Sequence, residues 1–68
     1  MPTELPDASA QMSAWSNYRS RMRDTISLLN EDLEDAGDAA TRDRIIGLIK
    51  RHNGYLRRAE KRIAELSN

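Results

Sequence analysis

Residues 47–58 read GLIKRHNGYLRR. An Asn-Gly pair is a strong local turn signal. If Asn53-Gly54 is a corner, the apolar phase on its two sides need not match. If a helix runs through it, the phase must be kept. Ile45, Ile49, His52, Leu56, Ala59 and Ile63 keep alternating steps of three and four residues across the pair. The spacing therefore predicts one continuous helix through Asn53-Gly54. The competing reading is a corner there, which would close a three-helix bundle.

Outward from this stretch, the chain resolves into two apolar series. The first is Ala8, Met12, Trp15, Arg19, Met22, Ile26, Leu29, Leu33, Ala36. The second is Arg42, Ile45, Ile49, His52, Leu56, Ala59, Ile63, Leu66. Both follow the a/d heptad rhythm of helices packed in a left-handed bundle. The composition agrees: Ala, Leu, Arg, Glu and Met are frequent, and Phe and Val are absent. Asp7 is a suitable N-cap for a first helix over about 8–36, with Pro6 just before it. Gly37 is a natural stop, and Asp38 can cap a second helix over about 38–66. A connection this short makes the helices antiparallel.

The fold expected is therefore all-α: an antiparallel helical hairpin in one domain over 1–68, with 1–6 as a short N-terminal extension. Folding the chain about Gly37 pairs Leu29 with Ile45, Ile26 with Ile49 and Met22 with His52. It pairs Arg19 with Leu56, Trp15 with Ala59 and Met12 with Ile63. A large ring facing a methyl keeps the packing dense. Gly47 and Gly54 share one face, where a neighbouring helix or ring is expected to pack close. A kink at Asn53-Gly54 is the alternative use.

A hairpin buries one seam, and Tyr18, Leu28, Ile46, Leu48 and Tyr55 fall outside it. A stripe wider than a/d belongs to bundles of more than two helices. A chain of 68 residues also has too small a core to be very stable alone. Self-association is expected, most simply a homodimer forming a four-helix bundle, with these five residues as its protein interface. A second protein covering the same face is the other occupant to consider.

The net charge is zero, but it is divided. Residues 1–38 hold eight acids and three bases, and residues 39–68 hold three acids and eight bases. The halves are expected to attract. Glu31, Asp32, Glu34, Asp35 and Asp38 crowd the turn end, where the C-terminal dipole of helix 1 disfavours them. The body is basic. Two such rods should lie antiparallel, turn against open end.

Other chemistry is narrowed by what is absent. There is no Cys and one His, so neither a disulfide nor a multi-His metal centre is available in one chain. No phosphate loop, paired metal-ligand motif or nucleophile motif occurs, and Ser16, Ser20 and Ser27 have no base partner at helical spacing. No enzymatic activity and no cofactor are expected. The apolar runs are far too short to cross a bilayer, and MPTELPDASA has neither the basic nor the apolar part of a signal peptide. A cytoplasmic location without membrane contact is the expectation.

Two polar clusters carry the remaining candidates. Trp15 and Tyr18 interleave with Arg19, Arg21 and Arg23, a pattern that can stack bases and hold phosphates. Lys50-Arg51, Arg57-Arg58 and Lys61-Arg62 add charge on helix 2. Candidate phosphate or nucleic-acid contacts are Arg19, Arg21, Arg23, Arg51 and Arg58, although Arg21 points well away from the seam. The alternative is a solvated basic face that complements the acids. Arg19 and His52 form a polar layer on the seam, read as a register-fixing pair with His52 bonded to a neighbour and Arg19 reaching water.

Thr25-Ile26-Ser27-Leu28-Leu29, followed by an acidic turn and a second heptad helix, resembles the Rop family of small plasmid regulators. That resemblance implies an antiparallel dimer of hairpins, and it would imply binding of paired RNA loops through helix 1. It covers somewhat more than half the chain and rests mainly on heptad pattern. The corresponding face carries Ser16, Ser20 and Asp24 in place of the family's residues. The readings for function are thus a small binding protein of adaptor, co-chaperone or inhibitor type, or a Rop-like binder of nucleic acid or phosphate.

Overall fold

The computed structural model describes residues 7–67 and contains two helices, α1 (Ala8–Asp35) and α2 (Ala39–Ser67). Pro6 and the expected extension 1–6 lie outside the described residues. No turn occurs at Asn53-Gly54, since α2 passes through it without a break. The three-helix alternative is thereby excluded. The physical reason is the seam: Ile49, His52, Leu56 and Ala59 all stay on the buried side only if the helix continues.

Both expected N-caps are present. Asp7 Oδ1 accepts the Ala10 N–H at 2.8 Å, and Asp38 Oδ1 accepts the Thr41 N–H at 2.8 Å. Side-chain and then backbone hydrogen bonds from Thr41 hold the Asp38 carboxyl below the usual carboxylate range. A depressed pKa means that this cap acts fully above the ordinary value. Its contribution is lost as the pH falls through the lowered one.

The stop of α1 differs from expectation. The helix ends at Asp35, and Ala36 is the C-cap in extended backbone, with φ −67° and ψ 124°. Its N–H donates to the Leu33 carbonyl at 3.3 Å. No glycine has positive φ, so Gly37 does not supply the left-handed residue of a Schellman stop. The Arg42 guanidinium from α2 also donates to the Leu33 carbonyl, at 3.3 Å. A cation thus caps the C-terminal end of α1, which has no basic residue in its own last turn.

Two contacts frame the antiparallel register: Arg42 on Leu33 at the turn, and Arg62 Nη2 to Gln11 Oε1 at 3.3 Å near the open end. Both fit the pairing of Leu29 with Ile45 and Met12 with Ile63. The apolar members of the two series are half-buried from Met12 to Leu66, and Ala59 alone is fully buried among the described residues.

The molecule is thin. Its extents are 56 × 26 × 14 Å, and the smallest is close to the ~10–12 Å width of one helix. The radius of gyration is 16.1 Å, against about 11 Å for a compact domain of this length. Its accessible surface is 5405 Å², roughly 1,000 Å² more than a folded monomer of 7.8 kDa exposes. One seam is closed, and both broad sides of the hairpin are open.

The glycines are not close-packed within the hairpin. A Cβ added at Gly37, Gly47 or Gly54 would meet nothing within 4 Å. The close approach expected at Gly47 and Gly54 is therefore absent from the single chain. Seven-residue spacing places both on the back of α2, away from α1.

Candidate functional site

Cross-helix contacts identify the two broad sides. On one, Gln11 binds Arg62, and Ala14, Trp15, Tyr18, Arg21 and Arg58 line an open cleft of about 380 Å³. On the other, Arg23 meets Glu60 at 3.9 Å. Heptad spacing extends both sides along the rod. Leu48 and Tyr55 precede Arg62 in the same column, and Leu28 follows Ala14 and Arg21 in theirs. Ile46 shares its column with Asn53 and Glu60, on the reverse side.

The five expected interface residues are thus divided. Tyr18, Leu28, Leu48 and Tyr55 share the cleft side, and Ile46 does not. The cleft side is the more apolar. Leu28 is 61% exposed and Tyr55 37%, the two large apolar side chains most open to solvent among the described residues. The reverse side offers Ser16, Ser20, Arg23, Ser27 and Asn30 on α1, all polar.

Aromatic packing stiffens the cleft side. Trp15 and Tyr18 meet edge to face with centroids 5.7 Å apart. His52 and Tyr55 do the same at 5.6 Å. His52 Nδ1 lies 2.7 Å from the Leu48 carbonyl oxygen. A carbonyl only accepts, so Nδ1 carries the proton and donates. His52 thus bonds within its own helix, one turn back, and its ring packs against Tyr55. Arg19 is half-buried, and its Nε is out of solvent contact with no hydrogen-bond partner. Reaching water, as expected of it, does not extend to this nitrogen.

The candidate cationic contacts are dispersed. Arg21 and Arg58 come together at the cleft, although heptad position puts Arg21 well away from the seam. A long side chain leaning back along the helix closes that gap. Arg23 is on the reverse side, where it meets Glu60, and Arg51 lies in the same column as Arg58. Arg21 and Arg58 beside two aromatic rings form a small anion-compatible cleft.

Attraction of the acids of the first half to the bases of the second is not expressed as close pairs within the hairpin. Among the described residues the ion pairs are Arg23–Glu60 and Arg62–Glu65, at 3.9 and 3.1 Å. Both are largely exposed and contribute about 1 kcal/mol at most. Neither uses Glu31, Asp32, Glu34 or Asp35. The acidic tip is left facing outward.

Among the described residues, no group of His and acidic side chains is placed to hold a metal ion, and no helix is long and apolar enough to cross a membrane. No protein-family model matches the chain, and no curated protein or solved structure matches it either.

Proposed function

We propose that this chain is a non-enzymatic helical hairpin that works by self-association and by binding another protein, in the manner of an adaptor, co-chaperone or inhibitor. The observation that carries this reading is the open cleft side. Leu28 and Tyr55 are exposed there beside Tyr18 and Leu48, in a chain with one fully buried residue among those described. An apolar face of this kind on a helix pair is ordinarily covered by a partner. A cytoplasmic setting fits this reading.

Leu48→Glu tests it. The substitution puts a charge in the middle of the face without touching either N-cap. The expected result is a chain that keeps its helical circular dichroism but loses self-association and partner capture. An unchanged mass and an unchanged partner would remove the cleft side from consideration.

A second reading has an observation of its own. Arg21 and Arg58 line one cleft with Trp15 and Tyr18, the chemistry of a nucleic-acid or phosphate site. In that case binding weakens steeply as salt rises, whereas apolar protein contacts hold. Titrating a fluorescent oligonucleotide at low and high salt separates the two readings.

A further inference from the structure

We propose that the open face is closed by a second copy of this chain, antiparallel to the first, with Leu28 of each copy seated in the aromatic cleft of the other. This rests on the self-association reading and specifies its geometry. Matching levels along the rod point to it.

The midpoint of α1 (Ala8–Asp35) falls between Arg21 and Met22. Leu28 stands as far beyond that point as Trp15 stands before it. Asp32 stands as far beyond it as Gln11 stands before it. A twofold axis across the rod at that level stacks α1 on α1 and α2 on α2, both antiparallel. It brings Leu28, 61% exposed in one hairpin, over the cleft formed by Ala14, Trp15 and Tyr18 in the second copy. It brings Asp32 over Arg62 of the second copy, whose guanidinium is already drawn across to the α1 side by Gln11. On α2, Leu48 and Tyr55 bracket His52, the residue level with Met22. The axis is level with the gap between His52 and Asn53, so Leu48 of one copy comes about half a turn from Tyr55 of the other.

Charge chooses between the two ways of pairing the same face. With both turns at one end, the clusters Glu31, Asp32, Glu34 and Asp35 would lie side by side with their own copies. With turns at opposite ends, each cluster meets the end that holds Arg62, itself paired with Glu65, with Arg58 a turn further in, while Arg21 faces its own copy near the axis.

The test is a charge exchange. Asp32→Arg alone sets an introduced guanidinium against Arg62 twice in the symmetric pair. Arg62→Asp alone sets two acids together twice. Mixed, the two variants make one of the two contacts attractive between like-matched wild-type groups and the other attractive with its charges reversed. The expected results, read by native mass spectrometry, are a dimeric parent and at least about tenfold weaker dimers for each variant alone. The doubly exchanged chain, carrying Asp32→Arg and Arg62→Asp together, should recover the parent's dimer. A dimeric parent whose single variants dimerise as well as it does, or whose double exchange recovers nothing, would overturn this arrangement and leave the self-association reading standing. A folded, monomeric parent would overturn both. Arg62→Asp also removes the Gln11 and Glu65 contacts, so a second measurement that leaves Arg62 in place is needed. The chain has no cysteine of its own. On oxidation, an equal mixture of Leu28→Cys and Ala14→Cys chains should form the mixed disulfide at well above twice the yield of either self-disulfide, and the statistical distribution, with the mixed species at only twice each self-disulfide, would contradict the geometry.

Discussion

Ala59→Asp is expected to unfold the hairpin at neutral pH and to recover helix as the pH is lowered. Ala59 is fully buried, the one residue described of which this is true. It stands in the register row of Trp15, which sets a large ring opposite a methyl. A carboxylate there is too short to reach water past the ring. It must separate the helices or take up a proton, and a buried unpaired charge costs on the order of 3 kcal/mol or more. A chain this small has only a few kcal/mol in total. Burial raises the pKa of the new carboxyl. Stability is then lost at pH values above the raised pKa and regained as acid neutralises the group. The wild-type chain sets the baseline at each pH, because its own Asp38 cap weakens in strong acid. Thermal melts followed by circular dichroism give the answer. A variant that melts like the parent at neutral pH would mean that the Ala59 contact does not hold the seam.

Gly47→Ala combined with Gly54→Ala is expected to raise the melting temperature. Each glycine lies inside α2 and costs about 1 kcal/mol relative to alanine. An added Cβ meets nothing within 4 Å at either position, and neither glycine has positive φ. The pair should contribute about 2 kcal/mol. At roughly 4–8 °C per kcal/mol for a domain of this size, the gain is about 10 °C or more. Both positions lie on the back of α2, away from the cleft side, so the solution mass should not change. A fall in melting temperature, or a loss of mass, would show that the back of α2 is packed against something in the assembled state. The glycines would then have the close-packing role that a single hairpin does not give them.

Much of the fold is legible in the sequence because helix periodicity and capping are local. Ile45 to Ile63 keep phase through Asn53-Gly54, and the phase outweighs the turn signal. Asp7 and Asp38 cap because a carboxylate three residues before a free N–H has little else to bind. The stop of α1 is less legible. Gly37 invites a left-handed stop, but the Leu33 carbonyl is taken by the Ala36 N–H and by Arg42, which arrives from the other helix. That contact is tertiary, and no local rule contains it.

The candidate site is legible only in part, and for a geometric reason. Heptad position fixes the angle at which a side chain leaves the helix, which separates Ile46 from Leu48. It does not fix how far a long side chain leans. Arg21 and Arg58 depart from different helices at wide angles and still line one cleft with Trp15. Arg23 shares their charge but leaves α1 on the reverse side, where it meets Glu60. Charge alone could not have sorted these arginines, whereas one cross-helix contact on each side does.

On this account a single hairpin is incomplete, and its open face is closed by association. The most direct measurement is the solution mass of the unmodified chain, by light scattering behind a sizing column, with helicity recorded on the same sample. A helical species at twice the 7.8 kDa of the chain is expected. A helical species at the mass of one chain, unchanged across a wide range of concentration, would contradict it.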